Sequence, residues 1–277
     1  MKFVLVNSNP DTIREFGKGF DPLNHDSRDH TFECFQGNLQ QYQHQYQEMS
    51  TSSSANAKVA VVAPTNSLAF MGGGFDRAIA DLFTGPHHEY TVFQEIVQNH
   101  TLEKFNGFIP PQTAHVVDLK EAYAAAATAF PENFITHLIQ TPTMAVPENI
   151  SATCVFYCMW NTLLAANGKF DTVIFPAIGA GYGGVPVPIV ARAICGAFGI
   201  FYMQMKVPVS RGAAILLFLN KDYKALGNAA DIAKIESIIA SGGKGGLDKH
   251  TQNDETPKCS EMPLDWWVFS RCLNSLG

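Results

Sequence analysis

Residues 59–83 restrict the fold of this chain more than any other segment, because an apolar strand runs through a polar turn and three glycines directly into a helix. The segment reads VAVVAPTNSLAFMGGGFDRAIADLF, and its first five residues have the composition of a buried strand. Gly72, Gly73 and Gly74 allow backbone N–H groups to face a ligand, and the positive end of the helix dipole points to the same place. This order predicts an anion site, above all for a phosphate.

A second glycine loop repeats the arrangement later in the chain. The sequence PAIGAGYGGVP at residues 176–186 follows the apolar stretch 172–175 and precedes a helix that begins near Val187. Two loops of this kind predict a site for a diphosphate.

The charge balance indicates how a phosphate would be held. The formal net charge is -6 and the isoelectric point is about 5.8. Binding to a nucleic-acid backbone would require a dense face of lysine and arginine, so nucleic acid is not expected as the main partner. Backbone amides are therefore the expected phosphate ligands. Apolar residues make up 46% of the 277-residue chain, which is enough for the core of one domain plus an appendage.

Several kinds of site and location are not expected. The first residues, MKFVLVNSNPD, form too short an apolar run for a signal peptide, and no stretch approaches the ~20 apolar residues of a membrane span. We therefore expect a cytoplasmic or nuclear protein without membrane contact. The six cysteines show no CxxC spacing and are predicted to be reduced thiols, mostly in the core. The histidines form no metal-binding pattern, so neither a metal nor a cofactor is predicted.

The order of apolar segments predicts an α/β fold. Strand-length runs alternate with amphipathic helical segments, and strands separated by helices indicate a largely parallel sheet covered on both faces. The prediction is a three-layer α/β/α sandwich with a mixed, largely parallel sheet of six or seven strands. The predicted strands are residues 3–6, 31–35, 59–63, 114–119, 134–139, 172–175 and 213–219, and the clearest helices are residues 75–83, 151–166, 187–205 and 223–240. Residues 40–56 are predicted to form a polar helix followed by a serine-rich loop.

The composition changes near the end of the chain. We predict one domain at residues 1–240, a mobile glycine-rich and charged linker at 241–261, and an apolar tail at 262–277. Exposure of Trp266 and Trp267 in the tail would be costly. The tail is therefore predicted to dock on the domain or to bind a protein partner.

Two polar side chains stand beside the first glycine loop. Asn66 precedes the glycines at the strand end, and Asp76 lies in the first turn of the helix. Asp76 is either a plain N-terminal helix charge or a group that holds or activates a water beside the ligand. On the second hypothesis, the helix dipole is expected to keep the carboxylate ionised, as a general base requires.

Together these motifs resemble the macrodomain family, whose members bind ADP-ribose. The family carries Asn-Ala-Ala-Asn at a strand end, then a Gly-Gly-Gly run, and later Gly-x-x-Thr-Gly-x-x-Gly-x-Pro after another strand. The matching blocks here are residues 63–66 (APTN), 72–76 (GGGFD) and 178–186 (IGAGYGGVP). An earlier block at 37–39 (GNL) is similar to the family's Gly-Asp-Ile. The resemblance covers about residues 1–225 and looks closest to fungal proteins described as ADP-ribose-1″-phosphate phosphatases.

The resemblance implies roles for individual residues. Asn38 would contact the adenine amino group, Asn66 the distal ribose, and Asp76 would position or activate the attacking water. Asp76 and Asn66 are thus the implied catalytic residues. The implied ligand-binding set is Asn38, Asn66, Gly72, Gly73, Gly74, Phe75, Asp76, Gly179, Ala180, Gly181, Tyr182 and Gly183. Within this set, the backbone of Gly73, Gly74 and residues 179–183 would hold the diphosphate.

The chain also departs from the family pattern. Ala63 stands where the family has its first asparagine, and Ala180 stands where it has threonine, so hydrogen bonds are lost at both positions. Gly183 replaces the aromatic residue that covers the distal ribose. Tyr182, one position earlier, is a candidate to supply that ring, but its direction cannot be read from the sequence.

Three functional hypotheses remain open at this point. The first is a hydrolase that cleaves a bond at the distal ribose, joined either to a protein side chain or to a 1″-phosphate. The second is a non-catalytic ADP-ribose reader, which the lost ribose contacts favour. The third, a dinucleotide oxidoreductase, is disfavoured because the first glycine cluster follows the third strand and no acidic residue ends a strand ~20 residues later.

Overall fold

The computed structural model describes residues 1–49, 57–84, 89–202, 208–222, 224, 229, 230, 232, 233 and 236. Most of the predicted helix at 223–240, the predicted linker at 241–261 and the tail with Trp266 and Trp267 lie outside the described residues. In the described part of the chain, no helix combines the length and apolar character needed to cross a membrane.

Six strands form one mixed sheet in the order β2-β1-β6-β3-β5-β4. Every neighbouring pair is parallel except β4 and β5, which are antiparallel. This arrangement confirms the predicted mixed, largely parallel sheet. The strands are β1 (Lys2–Asn7), β2 (Thr31–Gln36), β3 (Val59–Ala63), β4 (His115–Asp118), β5 (Ile135–Gln140) and β6 (Thr172–Phe175).

Helices cover both faces of the sheet and complete the three-layer sandwich. In the described residues they are α1 (Pro10–Asp26), α2 (Leu39–Met49), α3 (Gly74–Thr84), α4 (Thr91–Phe105), α5 (Leu119–Ala125), α6 (Ala152–Ala166), α7 (Val187–Tyr202) and α8 (Pro208–Phe218). The helices α1, α6, α7 and α8 form one layer through the contacts that α7 makes with the other three, whereas α2 to α5 contact one another in sequence on the opposite face.

Strand side chains alternate between two apolar cores, one under each helical layer. In β1, Phe3 and Leu5 belong to the core beneath α1, α6 and α7, whereas Val4 and Val6 belong to the core beneath α2 to α5. Because successive side chains point to opposite faces and both faces are buried, such strands read as unbroken apolar runs. This explains why the strand segments are visible in the sequence.

The predicted seventh strand at residues 213–219 is wrong. The structure forms helix α8 there, which begins at Pro208 and ends at Phe218. A short apolar run fits a buried helix as well as a buried strand, and Ala213 and Ala214 favour the helix. The ring of Phe218 packs directly on Gly196 of α7, where any added Cβ would collide with it. Tertiary packing against α7 therefore stabilises the helical form.

The sheet topology brings several loops together at one edge. Because β1, β2, β3, β5 and β6 are mutually parallel, their carboxyl ends all lie on the same side of the sheet. In open α/β sheets, ligands bind in the crevice outside these carboxyl ends. Both predicted glycine loops follow such ends, after β3 and after β6.

Candidate functional site

A cavity of about 340 Å³ lies at the carboxyl ends of β3, β5 and β6. This volume is near the lower end of the roughly 300–1,000 Å³ typical of small-molecule sites. The cavity brings both glycine loops together, as the sequence predicts for a diphosphate site. The predicted residues that line it are Asn66, Gly72, Gly73, Gly74, Phe75, Asp76, Gly179, Gly181, Tyr182 and Gly183, whereas Asn38 and Ala180 do not.

The first glycine loop contains backbone amides without acceptors at the start of α3. Gly74 has a φ of 59°, a left-handed conformation that glycine adopts without strain. The backbone N–H groups of Gly73, Phe75 and Asp76 donate to no acceptor among the described residues. The loop is fixed from behind, because the N–H of Met71 donates to Oε1 of the buried Gln94 at 2.8 Å. Such unpaired donors at a helix N-terminus form an anion site.

The second glycine loop is closed by its own backbone hydrogen bonds. The N–H of Val185 donates to the carbonyl of Gly179, and the N–H of Gly184 donates to that of Gly181, both at 3.0 Å. Within the described part of the chain, the amides of Gly181, Tyr182 and Gly183 have no acceptor. These amides are therefore available to a ligand.

The predicted contact between the backbone of Ala180 and a diphosphate is wrong. Its N–H donates to the carbonyl of Ala177 at 3.1 Å, and the residue packs against the core beneath α6 and α7. The Ala180 amide is therefore occupied inside the loop and is not available to a diphosphate.

Asp76 lies in the cavity without any compensating charge. Its Oδ1 is buried and has no hydrogen-bond partner among the described residues. Burial, the only cause that contributes, raises the pKa of Asp76 to about 8. The adjacent Arg77 offers no relief, because its guanidinium pairs with Asp81 at 2.7 Å and stacks over the Tyr90 ring at 3.9 Å.

The expectation that the helix dipole keeps Asp76 ionised is therefore wrong near neutral pH. A helix N-terminus favours a carboxylate by typically 0.3–1 kcal/mol at an exposed position, whereas desolvation of a buried carboxyl can exceed this several-fold. In this site desolvation dominates. The raised pKa, about 8, favours the protonated form of Asp76 at neutral pH, and ionisation follows as the pH rises through that value.

Asn66 lines the cavity, but most of its hydrogen-bonding capacity is used within its own loop. Its Oδ1 accepts the backbone N–H groups of Leu68 at 3.0 Å and Phe70 at 3.3 Å. Its Nδ2 donates to the carbonyl of Phe70 at 3.2 Å. An asparagine side chain makes about four hydrogen bonds at most, so a single Nδ2–H remains for a ligand. In this structure Asn66 mainly shapes the turn that leads to the glycines.

Thr65 is a cavity residue that the sequence analysis did not single out. It is 1% exposed, and its Oγ1 has no hydrogen-bond partner among the described residues. A buried hydroxyl without a partner is costly unless a ligand or water satisfies it. The sequence feature that could have identified Thr65 is its position between a buried strand and Asn66. The family pattern has alanine at this position.

The structure shows why the ring at the second loop stands at 182 and not at 183. A Cβ added at Gly183 would lie 2.8 Å from the Gly179 carbonyl oxygen and 2.8 Å from Ile150 Cγ1, so no larger residue fits there without a shift. Tyr182 is 70% exposed, and its ring reaches across to the first loop. A Cβ added at Gly73 would lie 3.0 Å from the Tyr182 hydroxyl oxygen. Tyr182 therefore spans the two glycine loops at the cavity mouth.

Asn38 lies outside the cavity, at the exposed start of α2. Its Oδ1 accepts the N–H of Gln41 at 2.8 Å, and its own N–H donates to Oε1 of Gln41 at 2.9 Å. This reciprocal pair is a capping box, which satisfies unpaired donors at a helix start. The contact with adenine stays a prediction, and the observed geometry shows a second role for the same side chain.

An Asn38→Ala variant separates the two roles of Asn38. Loss of the cap should lower the free energy of unfolding by about 1 kcal/mol, measured by urea denaturation. If Asn38 also binds adenine, ADP-ribose should bind roughly fivefold more weakly, while ribose 5-phosphate should bind unchanged. Equal losses for both ligands would contradict the adenine contact and leave only the cap.

The described residues contain no group of three or more histidine, cysteine, aspartate or glutamate side chains that could hold a metal ion. Cys34, Cys154, Cys158 and Cys195 are free thiols, and the last three are buried. Cys154 and Cys158 lie on α6 with their sulfur atoms 4.0 Å apart.

One protein-family model matches most of this chain. The model of the family described as Macro-like domain matches residues 23–238, a span that includes both glycine loops and Asp76. The chain belongs to this family. Among solved structures, this macro-like domain is similar to a mutant macrodomain of Oceanobacillus iheyensis with ADPR. The two are 19% identical, with a TM-score of 0.35, over 53% of this chain and 72% of the other.

Proposed function

We propose that this protein binds ADP-ribose in the cavity and hydrolyses a bond at the distal ribose. The observation that carries the proposal is that two loops with unpaired amides and one carboxyl group, that of Asp76 with its Oδ1 buried, line the same cavity. The amides suit a diphosphate, and membership of the Macro-like domain family supports ADP-ribose as the ligand. We propose a cytoplasmic or nuclear location and a partner contact through the tail at 262–277 as further hypotheses.

The proposed reaction uses Asp76 as a general base. The carboxylate removes a proton from a water molecule while the water oxygen forms a bond to C1″ of the distal ribose. The bond between C1″ and the leaving oxygen breaks, and that oxygen takes up the proton. A base works best when its pKa lies near the operating pH, and burial brings the pKa of Asp76 to about 8.

The rate should follow the ionisation of Asp76. Below pH 8 only a fraction of Asp76 is ionised, so kcat/KM should rise about tenfold per pH unit and level off above pH 8. The profile is measured with ADP-ribosylated protein after subtraction of the enzyme-free rate, since ester linkages hydrolyse in alkali. A rate that falls as the pH rises through 8 would show that the protonated form of Asp76 is the active one. That result would contradict the role of Asp76 as a general base.

A non-catalytic reader is the second candidate function. Two observations favour it: the side chain of Asn66 is largely occupied in its own loop, and the raised pKa of Asp76 favours its protonated form at neutral pH. A reader would bind ADP-ribose through the same amides but release no product.

Turnover separates the two functions. The full chain is incubated with ADP-ribosylated protein and, separately, with ADP-ribose-1″-phosphate, and released ADP-ribose is quantified. The hydrolase proposal expects release from at least one substrate, with loss of release in Asp76→Asn. Binding of ADP-ribose without release from either substrate would establish the reader.

A further inference from the structure

Two buried thiols lie side by side on α6, outside the cavity that contains the glycine loops. The sulfur atoms of Cys154 and Cys158 are 4.0 Å apart, because residues four positions apart lie on the same face of a helix. Cys154 is 5% exposed and Cys158 is fully buried. Neither residue lines the cavity, so the proposed hydrolysis does not use this pair.

The segment that follows β5 contributes the polar atoms that face the pair. The Cys154 thiol donates to the carbonyl of Thr143 at 3.2 Å, and the Cys158 thiol donates to that of Pro142 at 3.8 Å. The Pro142 carbonyl also accepts the N–H of Gln112 at 2.7 Å, which fixes this oxygen. Both sulfur atoms thus face one stretch of backbone, with two carbonyl oxygens beside them.

Helix geometry disfavours a disulfide between these two thiols. Residues four positions apart in an α-helix have Cβ atoms about 5–6 Å apart, whereas a disulfide needs a Cβ separation of about 3.5–4.5 Å. An ion that bridges the sulfur atoms needs no such approach. With metal–sulfur bonds of about 2.3 Å, as for zinc, the sulfur separation of 4.0 Å gives an angle of about 120° at the metal. The pair therefore fits a bridging ion while α6 keeps its helical form.

The available ligands restrict the kind of ion. Structural zinc sites take four ligands from cysteine, histidine and carboxylate side chains. Within the ranges that the structure describes, no group of three or more such side chains could hold a metal ion. Thiolates are soft ligands that select Cu(I), an ion that is satisfied by fewer ligands than zinc requires.

We propose that Cys154 and Cys158 form a binding site for a soft monovalent metal ion of the Cu(I) class. On binding, two S–H bonds break, two metal–sulfur bonds form and two protons leave, because the ligands are thiolates. Cys154 lies in the first turn of α6, where the helix dipole stabilises a thiolate. The hydrogen bond with Cys154 and burial raise the pKa of Cys158, so we expect this thiol to lose its proton only when the metal binds. The site is independent of the proposed hydrolysis.

Titration of the full chain with Cu(I) tests this site. Cys34, Cys259 and Cys272 are first replaced by serine, so that thiols elsewhere in the chain do not compete. Cu(I) is added without oxygen in the presence of bicinchoninate, a chelator that is coloured when it holds Cu(I). This reference protein should take one Cu(I) per chain from the chelator and gain the ultraviolet charge-transfer absorption of copper thiolates. Failure to bind Cu(I), or binding of Zn²⁺ with equal affinity, would overturn the proposal.

Single substitutions in the reference protein test whether these two thiols are the ligands. Loss of an outer partner of a metal site costs about 10–100-fold in affinity, so Cys154→Ser and Cys158→Ser should each weaken Cu(I) binding by at least about 100-fold. Cys195→Ser is the matched control, because this buried thiol lies on α7 and should leave Cu(I) binding unchanged. Melting temperatures without copper show which variants are folded, and alanine replaces serine where one is not. Equal losses in all three variants, or no loss in the first two, would overturn the proposal.

Oxidation of the metal-free reference protein separates a metal site from a redox pair. The protein is incubated with glutathione disulfide, quenched with acid and unfolded, and its free thiols are alkylated and located by mass spectrometry. Cys154 and Cys158 should both be alkylated, because the helix keeps their Cβ atoms too far apart for a disulfide. A disulfide between them would show that α6 yields at this point, and it would overturn the metal site in favour of a redox pair.

Discussion

Asp76→Asn should lower the rate of hydrolysis by about 10²- to 10⁴-fold, while the affinity for ADP-ribose changes by less than about tenfold. Asparagine has the shape of the carboxyl group but cannot take a proton from water. Because Oδ1 of Asp76 has no partner to lose, the substitution breaks no hydrogen bond of the described fold. The expected result is a folded, ligand-binding protein with almost no turnover.

Asp81→Asn is the matched control for this variant. Asp81 lies on the same helix, one turn further along, and is an exposed carboxylate paired with Arg77. Single-turnover rates are measured for the wild type and both variants. Asp81→Asn should keep the wild-type rate. A wild-type rate in Asp76→Asn would remove this residue from the mechanism and leave it as a helix-end group.

Asp76→Asn should also be more stable than the wild type above neutral pH. Asp76 ionises near pH 4 in the unfolded chain and near pH 8 in the folded protein. Between these values unfolding releases a proton, so the unfolding free energy of the wild type falls as the pH rises. Asp76→Asn removes this loss, and its gain in stability should be larger at pH 8 than at pH 4. A gain that is independent of pH would contradict the buried, protonated state.

Gly181→Glu should weaken ADP-ribose binding by more than 100-fold. Gly181 lines the cavity, and its unpaired amide lies in the proposed diphosphate site. The new side chain would fill that space and place a negative charge beside two phosphates. A Cβ at this position meets no atom within 4 Å, so the loop should fold as before.

Gly181→Ala is the control for this change, because it adds a Cβ without the charge and the length of glutamate. Alanine should reduce the affinity only slightly, and both variants should keep the wild-type melting temperature. Undiminished affinity in Gly181→Glu would show that the second glycine loop does not hold the phosphates. A large loss in both variants would point to a change of loop conformation.

The sequence predicted the parts of this site that depend on the backbone. Buried strands read as continuous apolar runs because helices cover both faces of the sheet, and glycines mark the loops that follow β3 and β6. These local features place Gly73, Gly181 and Asp76 in one cavity. The segment at residues 213–219 was misassigned because a short apolar run does not distinguish a buried strand from a helix that packs on α7.

The chemistry of individual side chains could not be predicted, because it depends on contacts that only the fold creates. The protonation of Asp76 follows from its burial, which outweighs the helix dipole visible in the sequence. The side chain of Asn66 turns back to its own loop, and the amide of Ala180 bonds to Ala177. The placement of a ring at Tyr182 follows from the tight packing of Gly183 against Ile150.

Titration calorimetry of the full chain with ADP-ribose tests the central claim most directly. We predict one site with a dissociation constant in the micromolar range, about -8 kcal/mol. Because backbone amides and not lysine or arginine side chains would hold the diphosphate, the affinity should change little between low and moderate salt. A titration without binding at millimolar ADP-ribose would contradict both the hydrolase and the reader.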